Sequence, residues 1–450
     1  MDISDLKPDT KYHTAINING FIVLLYHNPN AKTFYSESYI NNGNIDEVKE
    51  NMGISHLLEH VCTDGWKRCN KDCSELWKKK GAIMNASTGQ TYVNYYIYGL
   101  KEYAFDLIDY IISITTNPVI NMRLTQKEKA AVINELLIHT QNPQLDAFQQ
   151  INDNLFTIEG LKLQDNIQLQ IDNLKKINYN KLKKWVDTYY CSGNIVFSFV
   201  GDLSEKKSNP NRKSKIINFI NKKLDKFKEK PSRYYVNNIF KPGMKVSYIN
   251  NKKIENTTMY FSFHMPLFLK DIETYYIDFF KMFINSSMTS LLMYELREKS
   301  KLIYNIHIDN YILSYGNYIT IEISTKNKFI EKVIEKTIQI FKKIKKGNFP
   351  NKHIEYVKKA YLVKTYNTNK NNAWISNWYA EQYLNQLNTN TESVIICHNK
   401  ILDKIKSMTK KQFIDFINKV LLFENFKIVY NGKRQVPGLE KKVLKWVNKK

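Results

Sequence analysis

Two stretches of this chain, 231 positions apart, follow one pattern without a gap, and this limits the possible folds more than any other feature. The earlier stretch runs Ile177-Asn178-Tyr179-Asn180-Lys181-Leu182, continues amphipathically through Trp185, and ends Asn194-Ile195-Val196-Phe197-Ser198-Phe199-Val200-Gly201-Asp202. The later one runs Met408-Thr409-Lys410-Lys411-Gln412-Phe413, continues through Phe416, and ends Asn425-Phe426-Lys427-Ile428-Val429-Tyr430-Asn431-Gly432-Lys433. A second pair agrees. Asn94-Tyr95-Tyr96-Ile97-Tyr98 precedes a helical stretch through Ile111, and Asn317-Tyr318-Ile319-Thr320-Ile321 precedes one through Ile340. Each is followed by a further helix, at 125–140 and at 351–365. A period above 200 residues is too long for a solenoid and means a duplicated domain.

Within the blocks, Phe21–Tyr26, Phe34–Ile40, Tyr92–Tyr98 and Asn194–Val200 are β-branched or aromatic runs that read as strands. Mixed with long amphipathic helices, they make the fold α+β. The Lys-rich connection that contains Asn209-Pro210-Asn211 reads as a linker with a helix inside it. The expected organisation is a first domain over 1–203, a linker over 204–235 and a homologous domain over 236–450.

At 450 residues and 43% hydrophobic content, the chain can bury a sizeable core. It has no apolar run of about 18 residues, so no membrane-spanning helix is expected. The N-terminus resembles neither a secretory signal nor a transit peptide, and the expected location is intracellular, in the cytoplasm. The net charge of +24 is spread along the chain, as codon bias toward Lys, Asn, Ile and Tyr would spread it. No nucleic-acid-binding motif accompanies the charge, so nucleic acid is not the expected partner. The five cysteines, Cys62, Cys69, Cys73, Cys191 and Cys397, are odd in number and irregular in spacing. That does not look like a disulfide framework and fits a reducing compartment. Cys69 and Cys73 have a spacing that a zinc knuckle allows, but the helix-like pattern through Leu76 and Trp77 lacks the knuckle's turn.

The residues that carry chemistry are His56-Leu57-Leu58-Glu59-His60. On a helix His56, Glu59 and His60 fall within an arc of roughly 100°. Two imidazoles at that spacing can ligate one ion from the same side, with the carboxylate between them in reach of a water on it. Leu57 and Leu58 face elsewhere and can pack the helix. A zinc site with two histidines needs a third protein ligand and an open position. The 125–140 helix offers Glu128 and Glu135, two turns apart on one face; one can touch the metal while the other orients a ligand.

His56-Leu57-Leu58-Glu59-His60 followed by Glu135 resembles the inverted zinc metallopeptidases of the pitrilysin, insulysin and mitochondrial processing peptidase family, in their short two-domain form. The match extends along nearly the whole chain. Gly53-Ile54-Ser55 resembles the family's lead into the motif helix. Asn85-Ala86-Ser87-Thr88 and Asn94-Tyr95-Tyr96 resemble its active-site edge strand. Leu296-Arg297-Glu298-Lys299-Ser300-Lys301-Leu302-Ile303-Tyr304 resembles its Leu-Arg-Glu segment ending in Tyr. The resemblance implies two homologous domains, each a mostly antiparallel sheet packed with helices. It implies one zinc per chain on His56, His60 and Glu135, with Glu128 in support and Glu59 as general base. It further implies substrate contacts from Arg297 and Tyr304, and a peptide laid along Asn85 and Ala86. Peptides or polypeptides are the implied substrates, and a homodimer or a heterodimer with a related chain the implied assembly. Lys301 departs from the pattern, since the family usually has glycine there. The second block carries no zinc motif: the matching helix reads Ser290-Leu291-Leu292-Met293-Tyr294. The alternative reading is a catalytically silent partner or scaffold subunit on the same fold.

Overall fold

The computed structural model describes residues 8–69, 73–204, 211–230, 239–265, 272–285, 290–313, 316–368, 371–389 and 394–449. The first sheet is built from β1 (His13–Ile18), β2 (Phe21–His27), β3 (Thr33–Ile40), β4 (Ile83–Thr88), β5 (Val93–Leu100) and β6 (Ile195–Gly201). Their spatial order is β1-β2-β6-β3-β5-β4. The second is built from β7 (Lys245–Asn250), β8 (Thr257–Met265), β9 (Ile303–Leu313), β10 (Gly316–Thr325) and β11 (Phe426–Gly432), in the order β7-β11-β8-β10-β9. Each sheet has one parallel pair, β2 with β6 and β7 with β11; the other pairs are antiparallel.

Apart from β1, the two sheets share one topology: β2, β6, β3, β5 and β4 correspond to β7, β11, β8, β10 and β9. The fold is therefore α+β with two homologous, mostly antiparallel sheets packed with helices. The structural repeat keeps the register of the sequence repeat. β6 and β11 begin and end 231 residues apart, as do the helices Tyr179–Tyr189 and Lys410–Val420. Both helices are capped by a side chain, Asn178 accepting from the Lys181 N–H and Thr409 from the Gln412 N–H. Both strands end in glycine because the neighbouring strand leaves no room: a Cβ on Gly201 would run into the Phe34 ring, and one on Gly432 into Thr257.

The chain forms two compact units that do not coincide with its two halves. The first unit comprises Met1–Ile138, Glu159–Val236 and Asn367–His398; the second comprises His139–Ile158, Asn237–Tyr366 and Asn399–Lys450. Each sheet thus receives a helix from the other half of the sequence. In the first unit the Asn372–Thr389 helix packs on β6, β3 and β2. Its Ile375, Tyr379 and Ala380 meet Leu24, Tyr35, Tyr39, Val196 and Val200. In the second unit the Leu145–Leu155 helix packs on β11, β7 and β8, with Phe148 edge-on to Tyr260 at 5.7 Å. The other face of β8 points Phe263 at Phe341 of the Ile330–Lys345 helix. Both faces of β3 are covered, so its side chains are nearly all buried.

The linker helix, Arg212–Leu224, belongs to the first unit and meets the Ala104–Thr116 helix through Phe105–Phe219 and the Lys223–Asp109 ion pair. The cysteines correct the sequence reading: Cys69 and Cys73 are joined in a disulfide, with Cα atoms 5.4 Å apart. The bond occupies both sulfurs, in keeping with the sequence reading that set a zinc knuckle aside. Among the described residues, no helix is long and apolar enough to cross a membrane.

Candidate metal centre

The motif helix, α1 (Ile54–Thr63), starts at Gly53, whose backbone φ of 91° favours glycine. Its first turn is held by a carboxylate nearly without exposure. Glu47 accepts from the Gly53 N–H at 2.8 Å and from the Ser55 N–H at 2.9 Å. Burial raises the Glu47 pKa to about 7, against the pull of those two hydrogen bonds. Leu57, Leu58 and Val61 are fully buried, so α1 is fixed on its apolar side while His56 and His60 stay partly exposed.

A second helix, α2 (Met122–His139), brings Glu128 and Glu135 to the same place. Glu135 Oε2 lies 3.7 Å from His56 Nε2 and 3.5 Å from His60 Nε2. One ligand atom from each of these three residues falls within 4.8 Å of the others. Tetrahedral zinc with bonds of about 2.0–2.2 Å requires ligand atoms roughly 3.4 Å apart, so the trio fits the ion. Among the described residues, no other group of His, Cys, Asp and Glu meets that spacing. Glu128 Oε2 lies 3.4 Å from His60 Nδ1. A proton on Nδ1 leaves the Nε2 lone pair facing Glu135, the tautomer a ligand needs.

Glu59 is 7% exposed and accepts a hydrogen bond of 2.6 Å from Thr88 Oγ1 on β4. Burial raises its pKa to about 6; the Thr88 hydroxyl and His60 pull it down, and Glu135 pushes it up. For His60, burial acts downward, but Glu128, Glu59 and Glu135 outweigh it and the net shift is upward. A carboxylate poised near neutrality beside a metal trio can take and return a proton.

Asn85 and Ala86 lie on β4, the edge of the first sheet, against which α1 packs. Arg297 and Tyr304 belong to the second unit, both substantially exposed. Arg297 sits in a π-helical turn, Tyr294–Lys299, and Tyr304 near the start of β9. The sequence reading named neither Glu47 nor the Thr88 hydroxyl as supports of the motif helix. Each acts across 6–29 positions, beyond any helical or strand period.

The sequence profile described as "Insulinase (Peptidase family M16)" matches residues 22–164, and the one described as "Peptidase M16 inactive domain" matches residues 176–361. A Rickettsia felis protein described as an uncharacterized zinc protease is 24% identical over 314 residues, covering 70% of this chain and 73% of that one. A Helicobacter pylori protease of known structure aligns with a TM-score of 0.77 at 14% identity, covering 93% of this chain and 99% of that one. A chain of Candida albicans complex III aligns with a TM-score of 0.76 at 12% identity, covering 96% of this chain and 99% of that one.

Proposed function

The chain belongs to the insulinase family of peptidases, M16, and from that premise we propose that it is a zinc endopeptidase acting on peptides or unfolded segments. The observation that carries the reading is the trio His56, His60 and Glu135, set at zinc-ligand spacing beside a buried Glu59. These three residues would hold one zinc ion, which when bound supplies Lewis-acid activation of the scissile carbonyl and of a water. Glu59 takes a proton from the attacking water and delivers it to the leaving amine. Glu128 keeps the His60 ring in its ligating tautomer. The substrate adds as a strand along β4 at Asn85 and Ala86, where main-chain hydrogen bonding tolerates many sequences. Arg297 anchors a substrate carbonyl and Tyr304 donates to the developing oxyanion. Pairing with a second copy or a related chain encloses the substrate.

A second reading, a catalytically silent subunit, has two observations in its favour. The profile that matches residues 176–361 is described as an inactive domain, and a chain of complex III shares the fold. Metal content and cleavage of a quenched fluorescent peptide library, for wild type and Glu59→Gln, separate the two. The peptidase predicts one zinc per chain in both proteins and cleavage in wild type alone. Zinc without cleavage in wild type supports the silent subunit.

A further inference from the structure

Behind the trio runs a chain of polar contacts that ends on a lysine and its aspartate. His60 Nδ1 faces Glu128 Oε2 at 3.4 Å. The other oxygen of that carboxylate, Oε1, lies 3.0 Å from Lys127 Nζ. Lys127 Nζ in turn donates to Asp64 Oδ2 at 2.6 Å. Asp64 is the residue that closes the C-terminal end of α1. It is mostly shielded, as is Glu128, while the lysine stem crosses from α2 to α1 through a half-exposed position. Lys127 therefore reaches both helices that carry the trio, hydrogen-bonded to Asp64 and at ion-pair distance from the second oxygen of the carboxylate that faces His60.

We propose that Lys127, anchored by Asp64, is a positioning residue for the metal centre: it fixes the rotation of the Glu128 carboxylate and through it the His60 ring. The inference rests on the zinc reading given above. Two effects of Lys127 on the ion oppose each other. As a cation near the site, it repels a divalent ion through space, so deleting its charge would tighten binding. As a brace, it keeps an imidazole in its ligating pose, so deleting it would loosen binding. Lys127 already has two carboxylate neighbours, which neutralise most of its field, and the brace should win.

The test is zinc affinity by competition with a chelating dye, on the full chain, for wild type, Lys127→Met, Asp64→Asn and the double variant. Thermal unfolding of the metal-free proteins is measured alongside. A brace that is partly exposed predicts affinity weaker by about 3- to 10-fold in Lys127→Met. Asp64→Asn is predicted to move the same way by less, and the double variant to fall no further than Lys127→Met alone, because both act through one contact. The visible spectrum of the cobalt-loaded variants should shift with the ligand geometry, which a loss of general stability would not cause. Unchanged or tighter zinc binding in Lys127→Met overturns the proposal and leaves the metal site standing. Absence of zinc binding in wild type overturns both. Asp64→Asn decides the question by itself if Lys127→Met does not fold.

Discussion

At the scale of single residues, the site divides into groups set by a local period and groups brought from a distance. His56, Glu59 and His60 share one helical face and were legible from spacing alone. Glu135, 75 positions after His60, was legible only as one of two acids on a later helix until the family resemblance chose between them. Thr88 carried no signal, since a threonine in a strand is ordinary. Yet its hydroxyl holds Glu59 at 2.6 Å, and its strand is the one proposed to receive substrate. Thr88→Val keeps the shape and removes the donor. A hydrogen bond to a charged group contributes about 1.5–3 kcal/mol, so kcat for peptide cleavage is expected to fall at least about 10-fold. Zinc content should stay at the wild-type level and Thr88→Ser should recover most of the rate. Equal loss in the Val and Ser variants would assign Thr88 to packing instead.

At the scale of elements, two departures from regularity have physical explanations. Lys301 follows the π-helical turn with a backbone φ of 52°, the left-handed region that costs a side-chain-bearing residue about 1–2 kcal/mol. The residue that departs from the family resemblance thus sits in a conformation that glycine adopts without that cost. The second departure is a carboxylate under a helix. Glu37 on β3 is 1% exposed and accepts from Ser376 of the Asn372–Thr389 helix at 2.6 Å and from Asn94 on β5 at 2.5 Å. Around it stand Tyr35 and Tyr39 on its own strand, Tyr96 opposite it on β5, Tyr92 just before β5 and Glu381 from the helix. Burial pushes Glu37 up to about 8, with Glu381 adding to the rise, and burial raises Glu381 to about 7. An ordinary glutamate, at 4.5, is ionised in the unfolded chain well below those values. Between about pH 5 and pH 8 these two groups hold more protons in the folded state than in the unfolded one, so their contribution to stability is present in full at the acid end and declines as pH rises. Denaturant midpoints measured across that range should fall in wild type relative to Glu37→Gln as pH rises. Parallel profiles would mean that Glu37 is ionised throughout. None of this was readable from the alternation, which puts Glu37 on one face with Tyr35 and Tyr39 and does not say what covers that face.

At the scale of the whole molecule, the repeat told how many sheets to expect but not which helix covers which sheet. An amphipathic helix advertises an apolar face and not its destination. With the 231-residue offset, Leu145–Leu155 falls on 376–386, inside the Asn372–Thr389 helix, so the two blocks have traded equivalent elements. The traded helix on the first sheet covers Tyr35, Tyr39 and Val200 and supplies Ile375, Tyr379 and Leu384 to the same core. A fragment of residues 1–230 lacks it and exposes an aromatic face of the kind that aggregates. Such a fragment is expected to be insoluble or dye-binding when made alone. Co-expression with residues 231–450 should restore a soluble, co-eluting complex on gel filtration. A monomeric 1–230 with cooperative unfolding would show that the helix is dispensable. On the ribosome the trade becomes a matter of time. The last strand of the first sheet is finished at Gly201, but its cover is complete only at Thr389. At roughly 5–20 residues per second, that is a wait of about 10–40 s for a nascent chain, long enough for a holding chaperone to become part of how this protein is made.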